Sequence, residues 1–160
     1  MKGKWILLVE DNARDADLAK RAIALGDSRA EVVVARDGVE AIECLQHAGK
    51  FHNMKGNPLV VLLDLKMPRM DGFEVLEEIK ADPQLQYVPV VIFTSSQQEY
   101  DIARCYRLGA NAYVVKPMDF RKYVTALKDV MWFWTSANVA PPDQVAQEHA
   151  PALRRQPQWV

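Results

Sequence analysis

The sequence predicts an α/β fold, one doubly wound parallel sheet of five strands covered by five helices. Three observations predict it. Short apolar runs recur through residues 5–115, each too brief for a helix that buries itself alone. Between them lie stretches whose apolar residues return every three or four positions, the helical period. Gly, Pro, Asn and Asp separate the two kinds of segment.

The elements follow in order. "WILLV" at 5–9 reads as a buried strand that ends in acids. Residues 13–25 read as a helix with Leu18, Ala22 and Leu25 on one face. "EVVVA" at 31–35 is the second strand. "DGVEAIECLQHAG" is a helix with Asp37 as cap, Val39, Ile42 and Leu45 at spacing three, and Gly49 as stop. Residues 50–58 are rich in turn formers and read as an irregular surface loop. "LVVLLD" at 59–64 is apolar on both faces, as a central parallel strand must be. Asp71 and Glu74 have capping-box spacing before the next helix, which Pro83 ends. "VPVVIFT" at 88–94 is the fourth strand. Ser96 and Glu99 repeat the capping-box spacing before a helix that closes on Gly109. "AYVV" at 112–115 is the fifth strand. The last helix spans 119–134, with Phe120, Val124, Leu127, Met131 and Trp134 as its core stripe. Right-handed crossovers between successive parallel strands then give the flavodoxin-like order 2-1-3-4-5.

Residues 1–134 are thus read as one domain, and 135–160 as a tail that holds four of the nine prolines. The tail has room for a short helix around 143–155, or serves as an arm that reaches a second copy. No second folded output domain is expected after residue 134.

Composition excludes several classes. Net charge is −1, so no global basic excess points to nucleic acid. No apolar run reaches membrane-spanning length, and the N-terminal run is too short for a signal peptide, so a cytoplasmic location is expected. Cys44 and Cys105 lack metal spacing and read as packed thiols. His47 and His52 have no second ligand at usable spacing and read as surface residues.

The polar residues at strand ends carry the chemistry. Glu10 and Asp11 follow the first strand, Asp64 ends the third, Thr94 the fourth, and Lys116 the fifth. The doubly wound topology brings these ends together. Two carboxylates about 4 Å apart repel by roughly 4 kcal/mol at an effective dielectric near 20, so three acids call for a hard cation such as Mg²⁺. Lys116 adds a compact positive charge for a phosphoryl oxygen, and Thr94 a hydrogen bond. Asp64 then reads as the nucleophile that forms an acyl phosphate.

"VEDN", "LLDLKMPRMDG", "FTSS" and "VVKPMD" together resemble the receiver domains of two-component response regulators over residues 4–134. The 50–58 loop and "DVMWFWTSANVAPP" are similar to the small response regulators paired with bacterial phytochromes. The resemblance implies phosphorylation of Asp64 by a sensor histidine kinase, and Mg²⁺ on Glu10 (through water), Asp11, Asp64 and the Lys66 carbonyl. It implies that Thr94 and Lys116 hold the phosphoryl oxygens, that Lys116–Pro117 is cis, and that Tyr113 is a switch residue. It also implies that Lys66 and Ser96 flank the path of the attacking water. Autodephosphorylation would be its only enzyme-like activity, and output would run through protein contact or phosphorelay. Trp132 and Phe133 fall off the core stripe and are candidate dimer contacts beside the fourth helix, fifth strand and fifth helix. Two other readings stay open. A pseudo-receiver would bind partners without phosphorylation, against which the intact acids stand. A Mg²⁺-dependent aspartyl phosphatase would carry an acid two residues after the nucleophile, where this chain has Lys66.

Overall fold

A computed structural model describes residues 4–26 and 29–142. Five strands and five helices alternate: β1 (Trp5–Val9), α1 (Ala13–Gly26), β2 (Glu31–Ala35), α2 (Gly38–Leu45), β3 (Val61–Leu63), α3 (Gly72–Ala81), β4 (Val90–Thr94), α4 (Glu99–Arg107), β5 (Ala112–Val115) and α5 (Phe120–Trp132). The strands form one parallel sheet in the order β2-β1-β3-β4-β5, as the sequence predicts.

Alternation along the strands divides the core into two layers. Leu7, Val9, Leu63 and Ile92 meet Ala41, Leu76, Ile79 and Cys105 of α2, α3 and α4. Ile6, Leu8, Leu62 and Phe93 meet Ala19, Ile23, Leu127 and Met131 of α1 and α5. Each fully buried aliphatic side chain contributes about 1.5–3 kcal/mol, so the two layers dominate stability. Register then aligns the strand ends. Val9 pairs with Ala35 and Leu63, Leu63 with Ile92, and Thr94 with Val115, so the residues after them emerge side by side.

Several local expectations are corrected. β3 is only three residues long, and Asp64 lies just beyond it. α2 stops at Leu45, before Gly49, and His47 takes a left-handed φ of 55°. The loop expected at 50–58 opens with a 3₁₀ turn, Gly49–Phe51, whose Phe51 is buried. Leu25, Val39 and Phe120 are exposed, and Ile23, Ala41 and Tyr123 take the buried places. α4 begins at Glu99 with Gln98 at its N-cap and no side-chain cap, so Ser96 and Glu99 form no capping box. Instead the Ser96 hydroxyl reaches the stronger acceptor, the Asp101 carboxylate, at 2.6 Å. The Lys116–Pro117 bond is trans, the intrinsically favoured isomer even before proline. Helical conformation continues past the expected end as a π-helical turn, Phe133–Ala137, closed by the Asn138 amide donating to the Phe133 carbonyl at 2.7 Å, while buried Thr135 donates to the Met131 carbonyl at 2.6 Å.

Trp132 and Phe133 are exposed, as their place off the stripe predicts. Ala140–Pro142 then run beside Lys4, Trp5, Pro58 and Tyr87, lining a cavity of about 160 Å³ at the N-terminal end of the sheet. The helix expected around 143–155 lies outside the described residues. Among the described residues no helix is long and apolar enough to cross a membrane.

Candidate functional site

The polar strand ends converge as the topology requires. β1 ends because Asn12 turns the chain into α1: its side-chain oxygen accepts from the Arg14 and Asp15 amides at 2.9 and 3.1 Å. Glu10 points inward and is only 4% exposed, whereas Asp11 is exposed. The Asp64 amide donates to the Val9 carbonyl at 3.2 Å, which sets the acids of β1 and β3 side by side. Glu10, Asp11 and Asp64 each offer one carboxylate oxygen, all within 4.8 Å of one another. They are the one such group of acids, histidines and cysteines among the described residues.

Lys116 holds the cluster together. Its Nζ donates to Glu10 Oε2 at 2.6 Å and to Asp64 Oδ2 at 3.0 Å. All three side chains are largely out of water, with exposures of 11%, 4% and 13% for Lys116, Glu10 and Asp64. Burial pushes the Glu10 carboxyl up to about 7, further than the Lys116 hydrogen bond and charge draw it down. Burial also opposes the Lys116 charge, but Glu10 and Asp64 outweigh it and raise the ammonium above its ordinary value.

The loop after Asp64 folds tightly against it. The Leu65 amide donates to Asp64 Oδ1 at 2.7 Å, and the Gly72 amide to the Leu65 carbonyl at 3.0 Å. A Cβ on Gly72 would lie 2.2 Å from the Asp64 carbonyl oxygen, so only glycine fits this close approach. Arg69 takes a left-handed φ of 64° within the loop and pairs with Asp37. Asp37 also caps α2 by accepting from the Glu40 amide at 2.8 Å. That amide, then the Arg69 guanidinium, holds its carboxyl below the ordinary value against burial.

Thr94 is buried, and its hydroxyl accepts from the Ser96 amide at 3.4 Å. Tyr113 is turned so that its hydroxyl donates to the Ser96 carbonyl at 2.9 Å. Asp64, Lys66, Thr94, Ser96, Lys116 and also Asp15 line one open cleft of about 420 Å³. The structure therefore brings Glu10, Asp11, Asp64, Thr94 and Lys116 to one end of the sheet, with Lys66 at the rim. Trp132 and Phe133 do not line the cleft. His47 and His52 are spent on the carbonyls of Gly56 and Gly49, both at 3.0 Å. Sequence reasoning missed Asp15, whose signal is its place one helical turn after Asp11. It also missed the Asp37–Arg69 pair and Asp101, which no short-range spacing marks.

Three hard oxygen donors this close fit a small divalent cation such as Mg²⁺. An ammonium already bridging two of them can swing to an incoming anion once a cation takes its place.

The family model for the response regulator receiver domain matches residues 6–128. Response regulator Rcp1 of Synechocystis sp. is 36% identical over 138 residues, 86% of this chain and 93% of that protein. The phosphorylated cyanobacterial phytochrome response regulator RcpA is similar in structure, with a TM-score of 0.81 and 40% identity over 87% of this chain and 99% of RcpA. The Mn²⁺-bound form of Rcp1 gives a TM-score of 0.80 at 35% identity, over 87% and 99% of the two chains. The bacteriophytochrome response regulator AtBRR is 49% identical with a TM-score of 0.68, over 82% of this chain and 94% of AtBRR.

Proposed function

The chain belongs to the response regulator receiver domain family, and from that premise we propose that Asp64 accepts a phosphoryl group from a phosphohistidine of a sensor histidine kinase. The convergence of Glu10, Asp11, Asp64 and Lys116 beside a cleft that leaves Asp64 reachable carries the reading. An Asp64 carboxylate oxygen forms the new bond to phosphorus, the P–N bond breaks, and the departing imidazole nitrogen takes a proton from solvent. Lys116 leaves Asp64 and pairs with a phosphoryl oxygen, and the Thr94 hydroxyl donates to another. Glu10, Asp11, Asp64 and the Lys66 carbonyl would hold the Mg²⁺, which when bound offsets the negative charge of the phosphoryl oxygens. Water later attacks phosphorus, the Asp64–phosphoryl bond breaks, and inorganic phosphate leaves; Lys66 and Ser96 flank that path. Tyr113 and Thr94 carry the signal to the surface of α4 and β5.

Because RcpA and AtBRR are phytochrome response regulators by name, we assign the kinase partner to the bacterial phytochrome class. Output runs through protein contact or relay to another histidine, with residues 1–134 as the receiver and 135–160 as an accessory arm. A homodimer through α4, β5, α5 and that arm fits the exposed Trp132 and Phe133.

The test is labelling with acetyl phosphate and Mg²⁺, read by intact mass. The native chain gains one phosphoryl group and Asp64→Asn gains none, while both keep the same circular dichroism. Undiminished labelling of Asp64→Asn would refute the assignment.

A further inference from the structure

Ser96 has every polar atom engaged, and it is buried in the wall of the cleft. Its amide donates to Thr94 Oγ1 at 3.4 Å, and its carbonyl accepts from the Tyr113 hydroxyl at 2.9 Å. Its own hydroxyl accepts from the Gln98 amide at 3.4 Å and donates to Asp101 Oδ2 at 2.6 Å. Only the last of these is a short, charge-assisted hydrogen bond; the two amide contacts at 3.4 Å are long and weak. The anchor of Ser96 is therefore Asp101, in the first turn of α4.

We infer that Asp101 is a positioning residue for the site: through the Ser96 hydroxyl it holds the Thr94 hydroxyl and the Tyr113 ring in the arrangement that a phosphoryl group on Asp64 uses, before that group arrives. The inference rests on Asp64 being the phosphoacceptor. Its physical content is a population. With the Asp101 bond made, the Ser96 side chain holds one rotamer and ties its residue to the first turn of α4, so the amide that faces Thr94 and the carbonyl that faces Tyr113, on either side of its Cα, are kept in place together. With the bond gone, that tie to α4 is lost, the carbonyl that accepts from Tyr113 can shift, and the competent arrangement becomes a minor fraction. Apparent affinity for a phosphoryl mimic falls by that same fraction. A carboxylate near a helix N-terminus also steadies the helix, so a helix-only role is the rival to exclude.

The full chain, carrying 3-fluorotyrosine at position 113 alone, separates the two. Fluorine NMR without metal or phosphodonor reads the Tyr113 ring; titration with beryllofluoride and Mg²⁺ reads the site; thermal unfolding reads stability. Ser96→Ala and Asp101→Ala each move the Tyr113 resonance to the same new position and weaken beryllofluoride binding by roughly tenfold. The double variant binds no more weakly than either single one, since one bond is lost in all three. Asp101→Asn, which keeps an acceptor, falls in between. An unmoved Tyr113 resonance in Asp101→Ala, with only the melting temperature lowered, overturns the inference, as do losses that multiply in the double variant. Failure of the native chain itself to take beryllofluoride refutes the phosphoacceptor reading, and the fluorine resonance still decides the role of Asp101.

Discussion

Replacing Lys116 by methionine removes the charge between Glu10 and Asp64 and keeps most of the stem. The two carboxylates are then left within 4.8 Å of each other; both ionised, they would repel by about 3.5 kcal/mol at an effective dielectric near 20, but Glu10, which burial already raises to about 7, rises further without the ammonium and takes up a proton instead. Both side chains are at least 87% out of water, so solvent screens little of the repulsion. Proton uptake by Glu10 relieves part of that repulsion, so stability in metal-free buffer at pH 8 should fall by about 1–2 kcal/mol, or about 2–8 °C in melting temperature for a domain of this size. Magnesium should reverse it. A cation no longer competes with an ammonium, so its apparent affinity rises, and at about 100 times the dissociation constant it returns about 2.7 kcal/mol. The assay is thermal unfolding of both chains across a Mg²⁺ titration. A melting temperature unchanged in metal-free buffer, or a Mg²⁺-induced rise no larger than in the native chain, would refute the picture of Lys116 as the internal counter-ion. Restored stability without restored phosphorylation would show that the second role proposed for the lysine, on a phosphoryl oxygen, is not one the metal performs.

Asp37→Ala loses the α2 cap and should cost about 1 kcal/mol at neutral pH by urea unfolding. Because the folded carboxyl sits below its ordinary value, its contribution is present above about pH 4 and fades as pH drops through the folded value. The deficit against the native chain should therefore shrink progressively as pH falls below about 4, and a constant deficit would refute the cap assignment. Gly72→Ala places a methyl 2.2 Å from the Asp64 carbonyl oxygen; about 1–3 kcal/mol of stability and most acetyl-phosphate labelling should be lost, with the urea midpoint and intact mass as readouts. Trp132→Ala with Phe133→Ala should halve the mass seen by light scattering if those side chains seal a dimer, and an unchanged mass excludes the patch.

Most strands, and the residues that converge at the candidate site, could be read from sequence because burial on both faces leaves near-continuous apolar runs, and the residues after them stand out as polar. Asp64 after "LVVLL" and Lys116 after "AYVV" are such cases. Helix faces were harder. α1 is buried through Ala16, Ala19, Ala22 and Ile23, and alanine carries little apolar signal; Leu25, apolar and at helical spacing from Leu18 and Ala22, is 65% exposed. The fourth helix misled for another reason. Ser96 and Glu99 have the spacing of a cap, but spacing says nothing of Asp101, a better acceptor two residues on. The Asp37–Arg69 pair spans 32 positions, beyond the reach of any local pattern. The turn at Phe133–Ala137 is closed by the Asn138 amide on the Phe133 carbonyl, a wider backbone bond that no side-chain spacing marks.

Lys4 and Pro142 border the same cavity, at the pole of the sheet opposite Asp64. Cargo attached at either residue itself, whether a fluorescent reporter or a tether to a solid support, would therefore start a full strand length from the Asp64 carboxylate. An immobilised chain could present its reactive end to free solution, and a kinase captured on such a surface would meet the same face that it meets on the untethered molecule.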